Sequence, residues 1–174
     1  MTLPEPWLRG PVAGIVPQLQ PVAHALIMAI EDTRAAASVL TADELWARPS
    51  GAASAGFHLV HLAGSTDRLF TYARGEALSE AQRAALAVES SLDRDPPSLE
   101  AMLSAWHDTV DRALAQLKST PADTLTEARQ VGRAKLPSTV LGLLFHAAEH
   151  ASRHTGQLVT TARIVKGQKV EAQG

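Results

Sequence analysis

Cysteine is missing from this 174-residue chain, and its absence excludes three things at once. No disulfide framework can hold the fold, no thiolate can serve as the protein's own nucleophile, and any soft metal must be held by imidazole or carboxylate. Aromatic residues are few, at 4%, and Tyr72 carries the one phenol. Charge of a single sign is missing too: 16 basic residues stand against 18 acidic ones, so the chain offers no electropositive footprint for nucleic acid as a main partner. No apolar run approaches the roughly 20 residues that a membrane-spanning helix needs. The opening Met1-Thr-Leu-Pro-Glu-Pro-Trp lacks the basic-then-apolar order of a secretory leader, and a cytoplasmic protein is expected.

What the chain has in quantity is alanine in helical company, as in Arg34-Ala-Ala-Ala and Arg83-Ala-Ala-Leu-Ala, alanine being the best intrinsic helix former. The length suits one domain over residues 1–174. It begins with a proline-broken irregular arm to about Gly14. The stripe Leu19, Val22, Leu26, Ala29, Ile30, Ala37, Leu40 predicts a helix from Pro17 or Pro21 to Leu40, with Pro21 tolerable only in its first turn. Thr41-Ala-Asp-Glu44 and Ser79-Glu-Ala-Gln82 read as capping boxes that open two short helices, the second reaching about Glu89. A long helix from about Ser54 to Ala73 closes at Gly75. After the stop Asp95-Pro-Pro-Ser98, another runs from Leu99 to Lys118 with Met102, Trp106, Val110, Ala113 and Leu117 on one stripe. The stretch from Thr120 to Pro137 is long for a structureless loop and suits a small hairpin or packed flap. The last helix is expected from an N-cap at Ser138 to Lys166, with Gly167 as terminator and a polar tail beyond. Four long helices and two short ones predict an all-α four-helix bundle.

On that last helix His146, His150 and His154 stand at strict four-residue spacing, three of the chain's 7 histidines. Residues four apart lie one turn apart on nearly the same face, so an adjacent pair can close on one metal ion. His150 and His154 share a stripe with Leu143, Ala147, Leu158, Thr161 and Val165 that should face the interior, where an unpartnered imidazole is costly. Two imidazoles hold an ion weakly, so a third ligand is expected from another helix, and the second long helix offers both His58 and His61. Three histidines with an open position form the catalytic rather than the structural zinc pattern. Imidazole suits zinc, nickel, iron and copper alike. A di-iron carboxylate centre needs Glu-x-x-His pairs, which the chain lacks. It also lacks His-Glu-x-x-His.

The run Phe145-His-Ala-Ala-Glu-His-Ala-Ser-Arg-His-Thr-Gly-Gln-Leu158 resembles the C-terminal signature of the DinB/YfiT-like superfamily, where a His-x-x-x-His pair precedes Gly-Gln on the last bundle helix. Ser54 through Leu62 resembles that family's second-helix motif, and Trp46-Ala-Arg-Pro49 its lead-in. The likeness spans roughly Gly14 to Lys166. It implies a four-helix bundle with a metal triad at His61, His150 and His154, a divalent ion (zinc or nickel), and frequent homodimerisation. Characterised members include enzymes that use low-molecular-weight thiols, such as mycothiol-dependent maleylpyruvate isomerase and bacillithiol S-transferases. This chain departs from many relatives in carrying Arg153 where they have a further histidine, and in the additional His58.

Two functional readings follow. The first is a metal-dependent thiol S-transferase or isomerase acting on a small-molecule substrate; the second is a non-catalytic metal-binding or stress-associated dimeric bundle. On either, His146 is expected to flank the site and His58 to support a ligand or face the substrate. Gln157 is read as a hydrogen-bonding group of the site or a helix-packing residue. Glu149 is expected to pair with a neighbouring helix or a dimer mate, and Asp67 with Arg68, Arg68 being placed to meet an anionic substrate. Small Gly64 and Ser65 beside His61 would admit a neighbouring helix or a ligand.

Overall fold

The computed structural model describes residues 4–89, 91 and 96–171. Four long helices form a bundle: α1 (Gln20–Ala37), α3 (Ala55–Ala73), α5 (Leu99–Ser119) and α6 (Val140–Glu171). Two short helices, α2 (Ala42–Trp46) and α4 (Glu80–Val88), lie in the connections. An antiparallel hairpin, β1 (Ala128–Val131) with β2 (Leu136–Thr139), occupies the stretch before α6, pairing Ala128 with Thr139 and Val131 with Leu136. The fold is all-α apart from this hairpin. Among the described residues no helix is long and apolar enough to cross a membrane.

The predicted stripes are the ones that pack. Leu26 and Ala29 of α1, Leu59 and Leu62 of α3, Trp106, Val110 and Leu117 of α5, and Leu144, Ala151 and Leu158 of α6 share one core. α6 lies against both α1 and α3, and α5 packs on α3. Burying these side chains is the main favourable term that holds four helices together. The helix ends are fixed by local hydrogen bonds. Thr41 Oγ1 accepts from Glu44 N at 3.3 Å while Glu44 Oε2 accepts from Thr41 N at 2.8 Å. Ser79 and Gln82 close the same box at 3.1 and 2.9 Å. Gly75 (φ 79°) takes the left-handed conformation that ends α3, and Glu76 N donates back to the Thr71 carbonyl at 3.2 Å.

Three boundaries differ from expectation. The cap of α6 is Thr139, whose Oγ1 accepts from Gly142 N at 3.0 Å, because β2 runs through Ser138 to Thr139 and the helix begins only after it, at Val140. α6 also runs through Gly167 to Glu171; a glycine weakens a helix interior by about 1 kcal/mol relative to alanine without forcing a stop. α1 ends at Ala37, and Leu40 reaches the core through a turn in which its N–H donates to the Ala37 carbonyl at 3.0 Å. Asp95, part of the expected stop before α5, and residues 172–174 of the expected tail lie outside the described residues.

α2 meets the first turn of α3 at Gly56, where an added Cβ would lie 2.8 Å from the Trp46 ring. Gly56→Ala therefore overpacks this contact, at about 1–3 kcal/mol, against a helix-propensity gain of up to about 1 kcal/mol. A lower urea midpoint is expected. An unchanged or raised midpoint would show that the Trp46 ring is not fixed there.

Candidate metal centre

Four imidazoles meet on the seam between α3 and α6. Ser54 fixes the start of α3 by accepting from Phe57 N at 3.1 Å, and buried Leu59 and Leu62 set the helix's rotation, which turns His58 and His61 toward α6. On α6, Ala147 and Ala151 are fully buried. The ring centroids of His61 and His154 lie 4.4 Å apart, those of His150 and His154 4.4 Å, and those of His61 and His150 5.1 Å. His61, His150 and His154, all half-buried, each place a ring nitrogen within 4.8 Å of the other two. The structure thus assembles the three residues that the sequence singled out.

The ring nitrogens can be assigned from their partners. His61 Nδ1 is hydrogen-bonded to Glu89 Oε1; a carboxylate only accepts, so Nδ1 carries a hydrogen, and in the neutral ring Nε2 then holds the lone pair. That Nε2 faces His150 Nε2 at 2.9 Å. His154 Nδ1 contacts His58 Nδ1 at 3.0 Å, which leaves its Nε2 for the cluster. Without a cation, the facing His61 and His150 nitrogens make a hydrogen bond only if His150 carries its hydrogen on Nε2. A cation instead accepts all three lone pairs at once. A neutral, nitrogen-only donor set from two helices suits a borderline-soft divalent ion, so these residues fit the group that the sequence implies.

A second layer surrounds the triad. Glu89, at the C-cap of α4, is 6% exposed and also pairs with Arg68, Nη1 to Oε2 at 3.1 Å. Arg68 reaches it by folding against Gly64, where a Cβ would stand 2.7 Å from Nη1. Arg68 is therefore committed to Glu89 rather than pointing at a substrate, and it is Arg68 itself that fills the space beside Gly64. Asp67, the expected partner of Arg68, instead accepts from Gln82 Nε2 at 2.6 Å and lies 3.6 Å from Arg112. Phe57 stacks on His61, with centroids 5.5 Å apart and rings 11° from parallel.

These surroundings shift the proton affinities. Burial, with the nearby His61 adding, pushes His58 down to about 4. Burial, then His154 and His61, pushes His150 down to about 4. Burial, then His61 and His58, does the same to His154. Burial alone would raise Glu89, but the His61 hydrogen bond and the Arg68 charge prevail and hold it below the ordinary carboxylate value.

Other expected residues fall outside the cluster. His146 is half-exposed, 3.3 Å from Glu149, with its ring centroid 5.6 Å from that of His150. Glu149 pairs within its own helix, with His146 and with Arg153 Nε at 2.5 Å, rather than with a neighbouring helix. Gln157 is exposed. Glu89 was missed by sequence reasoning, since it stands 28 residues from His61 on another helix. One signal was available: an acid at a helix C-terminus opposes the macrodipole and calls for a compensating cation.

A helical bundle with a histidine cluster between two of its long helices belongs to the class that builds metal and cofactor sites from facing helices. Within that class, the family model of the DinB superfamily matches residues 25–158, and the chain belongs to that superfamily. The match includes all three histidines of the cluster. No curated protein matches the chain in sequence.

The shifted histidines make a pH prediction. Unfolded, His58, His150 and His154 take up protons as pH falls through about 6.5; folded, they resist until about 4. The unfolded state then binds more protons across that window, so stability rises with pH there. Metal-free protein should lose stability progressively between pH 6.5 and 4, and His150→Gln should flatten the slope of unfolding free energy against pH. Equal slopes in the two proteins would contradict the shift.

Proposed function

We propose that His61, His150 and His154 bind one divalent ion, zinc or nickel, and that the protein is a metal-dependent enzyme. Its chemistry would be that of a low-molecular-weight-thiol S-transferase or isomerase acting on a small-molecule substrate, and it would work as a homodimer in the cytoplasm. The observation that carries the metal reading is the convergence of three imidazoles from two helices, with Nδ1 of His61 held by Glu89 and Nδ1 of His154 by His58. DinB superfamily membership supports it further.

When bound, the ion supplies Lewis acidity that lowers the pKa of a thiol or water at an open position. The chain's own residues do the rest. His150 and His154 stay neutral at physiological pH, because burial disfavours their charged forms, and so keep lone pairs available. Both are half-buried rather than sealed in the core, which supports a reachable, catalytic site over a closed structural one. Phe57 covers one face of the His61 ring and excludes water there. Arg153, its side chain 59% exposed on α6 beside His150 and His154, is paired with Glu149, so an anionic thiol or electrophile would have to compete with that carboxylate for it.

Untagged protein purified without chelator should contain about one zinc or nickel per chain. Reloading stripped protein at about 100 times the Kd should add about 2.7 kcal/mol, a melting-temperature rise of roughly 5–11 °C at this chain length. His61→Ala should abolish both the stoichiometric metal and the rise. If His61→Ala keeps them, the three-histidine assignment is wrong. With nickel-loaded protein, a thiol that enters the site should produce a new thiolate charge-transfer band; silence across a panel of low-molecular-weight thiols would rule against the transferase reading while leaving metal binding in place.

A further inference from the structure

α4 is held to the bundle in an unusual way for a helix. None of its residues from Glu80 to Val88 is buried, and Leu86 and Val88 are 46% and 50% exposed. Among the described residues, the hydrogen bonds and ion pairs that fasten it to α3 lie at its two ends. At the start, Gln82 Nε2 donates to Asp67 Oδ2 at 2.6 Å and to Thr71 Oγ1 at 2.8 Å. At the end, Glu89 receives the Nδ1 hydrogen of His61 and the Arg68 guanidinium. A helix that buries no apolar side chain has little hydrophobic reason to stay docked. Its carboxylate end also sits where the macrodipole disfavours negative charge. Its C-terminal end is therefore held chiefly by the group that bonds His61.

We propose that Glu89 is a positioning residue for His61, and that through it the docking of α4 and cation binding at the three-histidine site strengthen one another; this rests on the metal reading above. The chemistry of imidazole supplies the link. A histidine that gives its Nε2 lone pair to a cation must carry its hydrogen on Nδ1, and coordination makes that hydrogen a better donor. Glu89 is the acceptor already in place. Conversely, a carboxylate on Nδ1 fixes the ring's tautomer and orientation and makes Nε2 more basic; removing such a partner typically weakens metal affinity about 10–100-fold. Coupling between two events is reciprocal. The factor by which docked α4 tightens the cation is then the factor by which the cation suppresses α4 opening. Arg68 completes the device from the other side: folded over Gly64, it holds the second carboxylate oxygen and keeps Glu89 aimed at His61.

The test uses the full chain with Zn²⁺ and, separately, Ni²⁺ as probes. Affinity is read by competition with a chromophoric chelator, and α4 opening by amide hydrogen exchange. The β1–β2 hairpin serves as the control region, since Arg129 Nε ties it to the Ala73 carbonyl at the far end of α3. In the wild type, loading should slow exchange in α4 by about 10-fold or more beyond any change in the hairpin. Glu89→Gln, which keeps the shape and loses the charge, should weaken the cation by the same factor and erase the α4-specific slowing, with Glu89→Asp recovering part of both. Gly64→Ala provides a variant expected to keep its fold, because alanine is the better helix former and the atoms nearest its methyl are the far end of the Arg68 side chain and the Glu89 carboxylate rather than backbone. It should lower affinity and α4 protection together without lowering the melting temperature of the metal-free protein. Wild type that binds the cation while Glu89→Gln matches its affinity and exchange would overturn this proposal alone. Wild type that binds neither ion would overturn it together with the metal reading.

Discussion

The site turns on the placement of a single hydrogen, the one on His61 Nδ1. Glu89 can only accept, so a hydrogen must lie there, and in the neutral ring the other nitrogen points its lone pair toward α6. The remaining geometry follows from that polarity. His150 Nε2 faces the bare nitrogen, and His154, with Nδ1 taken by His58, turns its own Nε2 inward. Reversing the His61 tautomer would set a bare Nδ1 against the Glu89 carboxylate, two acceptors with no hydrogen between them. Glu89 thereby preorganises His61 as a donor, and His150 completes the set when its hydrogen lies on Nδ1.

The bundle makes this arrangement by trading apolar burial for proximity. Alanines at 147 and 151 are buried on α6 near the histidines, and Leu144 and Leu158 on the same helix supply the larger packing. The price is a seam of imidazoles whose charged forms burial disfavours, so that the metal-free protein is acid-sensitive at its own candidate site. A cation relieves the tension in the opposite direction, since it needs the same neutral lone pairs that burial enforces.

Much of the fold was legible because it rests on local rules. The stripes of α1 and α5, the two capping boxes and the Gly75 terminator each involve residues within a few positions of one another, and each appears where the pattern placed it. One error came where a neighbouring element competed: the hairpin runs through Thr139 and moves the α6 cap there from Ser138. In the site, four-residue spacing brought out His150 and His154, but helical spacing alone left His58 and His61 open on α3. Family resemblance singled out His61, and the distances agree, with His58 reaching only the outer nitrogen of His154. Glu89, Arg68 and Gly64 were beyond sequence reasoning as a unit. Their relation depends on how α4 folds back over α3, which no periodicity encodes. The intrahelical pairing of Glu149 with His146 and Arg153 was available from i, i+3 and i, i+4 spacing and was passed over for a longer-range partner.

The central claim is that one divalent ion sits among His61, His150 and His154. Anomalous diffraction at the metal absorption edge, on crystals of untagged protein grown without added metal or chelator, tests it most directly. One anomalous peak is expected, bonded to the Nε2 atoms of those three residues. A peak at any other set of side chains, or no peak beside well-ordered imidazoles, would contradict the account.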